Sequence, residues 1–210
     1  MMIAKEGRIF VIPLFFSEIL FLWLWYKNII LFHLPVFIGL FFLFCVIFFR
    51  NPKRIIKAKR NQIVSPADGK IIRIEKVDDD EIGEAKIISI FLNIFNVHVN
   101  RMPLKGSFER IKYEKGKFLL AFQHNACDEN ERNSISIMTE IGPIRIIQIA
   151  GLLARRIICY AQKDQSMDIG ERLGFMRFGS RIDIILPAKV DIKVKNGQKV
   201  TGNITIIGTF

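Results

Sequence analysis

Residues 86–99 read Lys86-Ile87-Ile88-Ser89-Ile90-Phe91-Leu92-Asn93-Ile94-Phe95-Asn96-Val97-His98-Val99, a run dominated by β-branched and aromatic side chains. Such side chains fit a pleated, half-buried surface, so the stretch predicts a strand. Runs of the same character occupy Lys70 to Val77, Ser134 to Glu140, Ile144 to Ile149, Arg156 to Ala161, Arg181 to Leu186, Val190 to Val194 and Asn203 to Ile207. Many short strands separated by Gly, Asp and Asn predict a mainly β fold, a compact barrel-sandwich-like domain over residues 61–210. Asp78-Asp79-Asp80-Glu81 reads as a solvated loop, Gln123 to Asn133 as a longer polar one, and Asn196-Gly197 as a hairpin turn.

Upstream the composition changes. Ile9 to Tyr26 is almost wholly apolar, broken by Pro13 and by Ser17-Glu18; after Lys27 and Asn28, Ile29 to Phe49 is apolar again, with His33 its one titratable side chain apart from Cys45. Each run approaches the roughly twenty residues that cross a hydrocarbon core as a helix. With so short a connection, the pair predicts a hydrophobic helical hairpin, and residues 1–60 form a membrane-anchoring unit ahead of the β domain. Lys5 and Arg8 precede it, while Arg50, Lys53, Arg54, Lys57, Lys59 and Arg60 follow. Positive flanks remain cytoplasmic, which places the β domain on the cytoplasmic side of the cell membrane. Glu18 is costly inside a bilayer, so a shallow insertion of the first run stays open beside a full span.

The totals point the same way. Half of the 210 residues are hydrophobic, yet Lys and Arg outnumber Asp and Glu 31 to 20, a formal charge of +11. That pairing suits an anionic membrane surface. Nucleic acid is disfavoured as a partner, because no zinc-finger spacing or RNA-binding signature is visible. Cys45, Cys127 and Cys159 are isolated and odd in number, which argues against a disulfide framework or a zinc site.

Four segments could carry chemistry, and each has a plain structural reading. In Ser65-Pro66-Ala67-Asp68-Gly69-Lys70, Asp68 suits a turn; in Asn96-Val97-His98-Val99-Asn100-Arg101, a lone His98 suits a packed strand. In Gly151-Leu152-Leu153-Ala154-Arg155-Arg156, adjacent arginines on a strand point to opposite faces. Gly170 to Arg181, with three glycines and Ser180, suits a tight connection. A strained peptide before serine also permits attack of the hydroxyl on the preceding carbonyl, and Gly179, with no Cβ, leaves that approach open.

Taken together and in order, Ser65 to Gly69, Phe95 to Pro103, Gly151 to Ile157 and Arg177-Phe178-Gly179-Ser180-Arg181 resemble the short-form phosphatidylserine decarboxylases, along essentially the whole chain. The resemblance implies a proenzyme that cuts itself between Gly179 and Ser180, giving a β chain of residues 1–179 and an α chain of residues 180–210 headed by a pyruvoyl group made from Ser180. It implies decarboxylation of phosphatidylserine to phosphatidylethanolamine and CO2 through a Schiff base on that group, with the two cleaved chains held as a heterodimer and higher oligomers open. Ser180, His98 and Asp68 match the family's catalytic positions: His98 as base for the Ser180 hydroxyl or α-hydrogen and as the acid that returns a proton, Asp68 orienting or charging it. Charge and motif proximity suggest Arg155 and Arg156 as substrate-binding residues; no metal is implied.

Two departures matter. Longer relatives carry two histidines where this chain has His98 and Arg101, so one histidine serves both maturation and turnover; short relatives place Asn at Leu120 and Asp at His124, which casts doubt on a substrate role for that loop. His124 then reads as a loop residue and His33 as a helix-packing or interface residue. The runner-up reading is a noncatalytic, membrane-tethered module, since the tail around Asn196-Gly197-Gln198 resembles lipoyl-like and biotinyl-like domains, though no lysine suits their modified tip. A pyruvoyl enzyme acting on a soluble amino acid is the third.

Overall fold

The computed structural model describes residues 2–116, 130–151, 157–177 and 179–210. They form two compact units, Met1–Lys53 and Arg54–Phe210.

The first unit is the helical hairpin. Strand β1 (Met2–Ile3) leads into α1 (Lys5–Tyr26), a turn, α2 (His33–Phe48) and strand β2 (Arg50–Asn51). α1 runs unbroken through Pro13 and Ser17-Glu18, and at 22 residues and about 1.5 Å each it matches a roughly 30 Å hydrocarbon core. α2 is shorter than its apolar run: residues 29–32 belong to the turn, where Asn28 adopts φ 56°, and 16 helical residues remain. β1 pairs with β2, Ile3 opposite Arg50, which closes the open end of the hairpin and gathers Lys5, Arg8, Arg50 and Lys53 there. Gly7 makes this closure possible, since a Cβ on it would sit 2.3 Å from the Phe49 Cβ. Glu18 faces the second helix at Gly39, where a Cβ would lie 3.1 Å from its carboxylate.

The second unit contains β3 (Gln62–Val64), β4 (Gly69–Asp79), β5 (Gly83–Leu92), β6 (Val99–Arg101), β7 (Gly106–Glu114), β8 (Arg132–Thr139), β9 (Gly142–Ile149), β10 (Ile157–Cys159), β11 (Ser166–Met167), β12 (Arg172–Met176), β13 (Ser180–Pro187), β14 (Asp191–Ile192), β15 (Lys199–Val200) and β16 (Ile206–Thr209). An eight-stranded antiparallel sheet in the order β11-β7-β8-β9-β13-β5-β4-β15 is joined by two three-stranded sheets, β10-β12-β6 and β14-β16-β3. The mainly β expectation holds, as a sandwich with no closed barrel among the described residues.

Period-two alternation builds the core. From β13, Ile182, Ile184 and Leu186 enter it beside Ile88 and Ile90 of β5 and Ile144 and Ile146 of β9, while Met102, Leu173, Met176 and Ile207 close it from the small sheets. Arg181, Asp183 and Ile185 take the opposite face of β13, and all three are buried there as well.

Several local readings change. The predicted strand Lys86 to Val99 divides at an Asn-rich turn, where the Asn93 side chain accepts from Phe95 N–H and the Asn96 side chain from Asn93 N–H, both at 2.9 Å. Those side chains offer the backbone an alternative to the ladder. Asp79 is no solvated loop residue: it ends β4, is 5% exposed and pairs with Arg145. Asn196-Gly197 does form a turn, with Gly197 at φ 82°, yet β14 and β15 on either side of it belong to different sheets, so it is not a hairpin. Strands β7 and β12 went unread, β12 because its glycine-rich sequence looks like a connection. Of the polar loop 123–133, residues up to 129 lie outside the described residues, and Arg132-Asn133 already belong to β8.

β12 tolerates no side chain at Gly174: a Cβ would lie 2.3 Å from the Ile158 carbonyl oxygen and 2.7 Å from Gln148 Nε2. Gly174→Ala is expected to cost about 1–3 kcal/mol through the forced shift of packed backbone. Urea unfolding of the detergent-solubilised protein measures it.

Candidate active site

The strand Ser180–Pro187 begins where the chain leaves a left-handed residue. Gly179 sits at φ 65° with open space on its Cβ side, so only the backbone conformation there demands glycine. Ser180 is fully buried, faces the core side with Ile182, and stands opposite Leu92 of β5. Its hydroxyl donates to the Arg177 carbonyl at 3.5 Å, a long contact that leaves the oxygen weakly held.

His98 immediately precedes β6. Because β6 pairs with β12, the Met176 N–H donates to the His98 carbonyl at 3.2 Å, so the register sets His98 beside the segment that leads into Ser180. The ring is fully buried. Its Nδ1 lies 2.9 Å from the Asn96 carbonyl oxygen, which can only accept; the proton therefore sits on Nδ1, and in the neutral ring Nε2 carries the lone pair. A backbone carbonyl orients this ring through Nδ1.

Asp68 lies elsewhere than a simple relay would put it. Both its oxygens receive the Arg54 guanidinium, at 2.5 and 2.7 Å, and Gly202 N–H donates to Oδ1 at 2.8 Å. Each side chain of the pair is 13% exposed. Arg54, which the sequence grouped with the cations along the membrane flank, is thus committed to the β unit. The Asp68 loop is tied to β6 all the same, because Arg101 N–H donates to the Pro66 carbonyl at 2.9 Å.

Around β6 the charge is positive. Arg101 and Arg172 are Cα partners across β6 and β12. Burial, then the neighbouring Arg54 and Arg172 guanidinia, push the Arg101 pKa down, and Asp68 opposes them. Behind β6 a buried amide chain crosses between the sheets: Asn133 Nδ2 donates to Gln148 Oε1 at 3.0 Å, and Gln148 Nε2 to Asn100 Oδ1 at 2.8 Å. The Asn133 amide also meets the Cys159 thiol, whose pKa burial raises and whose contacts with Ala161 and Asn133 lower.

His98 adjoins β6, the Asp68 loop is tied to β6 through Pro66 and Arg101, and Ser180 opens β13 shortly after β12 ends. Arg155, Arg156, Leu120, His124 and Cys127 lie outside the described residues. His33 opens α2 on an exposed surface. Arg54, Arg172, Asn133 and Gln148 were missed; Gln148 alone left a signal, as the polar residue on the same face as Ile144 and Ile146. No group of three potential metal ligands lies together among the described residues.

The fold defines a β-sandwich unit that follows an apolar hairpin in the chain, and comparison with known proteins supplies the family. The chain matches the model of the phosphatidylserine decarboxylase family over residues 41–208. It is 45% identical to the phosphatidylserine decarboxylase proenzyme of Chlorobium phaeobacteroides, covering 80% of each chain. The proenzymes of Chlorobaculum tepidum and Prosthecochloris aestuarii are each 42% identical, over 80% and 79% of this chain and 78% and 76% of theirs. The chain belongs to the phosphatidylserine decarboxylase family, a family of decarboxylases made as proenzymes. The family match begins inside α2, so it is narrower than a likeness along the whole chain.

Arg54→Met would remove both guanidinium hydrogen bonds to Asp68 and keep the one from the Gly202 N–H. The expected loss is about 1–3 kcal/mol of stability, less than the roughly 3–5 kcal/mol for a fully buried pair because water still reaches both groups. Urea unfolding at neutral pH checks it, and Arg54→Met with Asp68→Leu is expected to recover most of the loss.

Proposed function

We propose that the chain matures by cutting itself between Gly179 and Ser180 and then decarboxylates phosphatidylserine at the cytoplasmic face of the cell membrane. The observation that carries this reading is the pairing of a left-handed Gly179 before a fully buried Ser180 with a His98 whose accepting nitrogen is Nε2. Ser180 Oγ passes its proton to His98 Nε2 and attacks the Gly179 carbonyl carbon. The Gly179–Ser180 C–N bond breaks, the nitrogen takes a proton, and an ester links the two residues. Removal of the Ser180 α-hydrogen expels the Gly179 carboxylate and leaves dehydroalanine at the head of residues 180–210. Addition of water with loss of ammonia converts it to a pyruvoyl group.

The residues present suit such a group, since the Ser180 position is dry and lies at the end of a rigid strand. When formed, it supplies an electrophilic carbonyl and an electron sink for loss of CO2. His98 then holds the proton that returns to the substrate carbon, and the amide chain behind β6 keeps that strand in place. Asp68 acts through its charge beside β6, since the Asn96 carbonyl already takes the Nδ1 proton. Arg155 and Arg156 remain proposed contacts for the anionic headgroup. The cleaved chains stay together as a heterodimer, because β13 is hydrogen-bonded between β5 and β9 of the other piece. The hairpin unit, residues 1–53, would serve as the membrane anchor and residues 54–210 as the decarboxylase domain, a boundary earlier than residue 60. The basic end of the hairpin and a substrate that never leaves the bilayer support the membrane assignment.

Intact-mass spectrometry tests the first step. The wild type is expected to give two chains, the smaller beginning at residue 180 with a blocked N-terminus, whereas Ser180→Ala stays as one. His98→Ala is expected to slow cleavage by about 100-fold or more, the scale of general-base catalysis. A wild type that is folded, membrane-bound and uncut would favour the noncatalytic reading.

A further inference from the structure

Arg101 and Arg172 stand directly opposite each other in the β6–β12 pair. Like charges in that position destabilise a sheet, and Arg54 brings a third guanidinium to the same place. Asp68 opposes that charge at Arg101 and receives Arg54 on both oxygens. Arg101 is held in position by its donation to the Gly170 carbonyl at 3.0 Å, and Arg172 lies over the Tyr160 and Phe175 rings at 5.4 and 5.9 Å. The same Phe175 ring is 6.4 Å from the His98 ring, so Arg172 and His98 flank a single side chain.

We propose that Arg101 and Arg172 form a subsite for the phosphodiester anion of the phospholipid headgroup. The inference rests on the decarboxylase reading and extends it. Planar guanidinium forks suit phosphate oxygens, and stacking on aromatic rings preorganises one of them. Reaction chemistry selects the phosphodiester over the carboxylate. Decarboxylation requires the carboxylate to surrender its charge, so pairing it tightly with arginine would stabilise the ground state and slow the step. The phosphodiester keeps its charge from substrate to product, and binding it affects both states alike, an effect that appears in KM.

The test uses the full-length, mature protein with soluble short-chain phosphatidylserine. Arg172→Gln is expected to raise KM at least tenfold, with the loss falling on KM, and Arg172→Lys to recover part of it; an unchanged KM in a variant whose chain is cleaved overturns the proposal. A second arm needs no variant. Wild-type protein is treated with phenylglyoxal, and modification of Arg101 and Arg172 is followed by peptide mass spectrometry with glycerophosphoserine or inorganic phosphate present. Glycerophosphoserine is expected to slow modification of both at least fivefold, and inorganic phosphate less. No protection, or equal protection by inorganic phosphate, overturns the headgroup assignment, and this arm decides should Arg172→Gln not fold. A wild type that is protected yet never decarboxylates the lipid would sink the decarboxylase reading and leave the anion subsite; normal decarboxylation without protection sinks the subsite alone.

Discussion

Central strand β13 is buried on both faces, and the rest of the β unit depends on its register. It is hydrogen-bonded to β5 on one side and β9 on the other, and its first residue is Ser180. Ile182, Ile184 and Leu186 fill the core, while the Arg181 guanidinium on the other face donates to Asp183 at 2.6 and 2.8 Å and to Ser89 at 2.8 Å. A slip of one residue would drive a charged guanidinium into the apolar core, so the register is strongly specified. The serine is thereby fixed at the entry of the most constrained strand, one residue after a backbone conformation that glycine adopts without penalty. Rigidity on one side and a permissive joint on the other are what an intramolecular attack on the preceding carbonyl requires.

Polar groups inside this unit serve position more than stability. The amide chain Asn133–Gln148–Asn100 crosses from the large sheet to β6, and each member is at most 2% exposed. Buried hydrogen bonds add only about 1 kcal/mol each, but leaving one partner unsatisfied costs more, so the chain penalises any other alignment of the two sheets. Arg54 and Asp68 do the same for the loop that carries Asp68, with Gly202 as the third member. His98 is held by an Asn96 carbonyl two residues away, a local arrangement that sets its tautomer independently of the carboxylate.

The hairpin unit differs in which side chains it exposes. Apolar residues cover α1 and α2 on their outer surfaces, and the basic residues sit at the end that β1 and β2 close. That distribution suits a lipid surface carrying negative charge, where each Lys or Arg contributes about 1 kcal/mol. It also gives the family's lipid chemistry a physical setting: an enzyme whose substrate stays in the bilayer has reason to be held beside it.

Local signals made much of this legible. Alternating β-branched runs marked β4, β8, β9 and β13, two apolar runs marked the hairpin, and the Gly179-Ser180 pair and His98 stood out within short motifs. The chain alone also carried the Asn93 and Asn96 turn, but β propensity on either side concealed it. Tertiary structure alone assigned Arg54 to Asp68 and Gly202, set Arg101 against Arg172, joined Gln148 to Asn100 and buried Asp79 beside Arg145. Composition and periodicity report which face of an element is apolar. They cannot report which group a charged or amide side chain meets, because those partners are separated by as many as 148 positions and are selected only when the sheets pack.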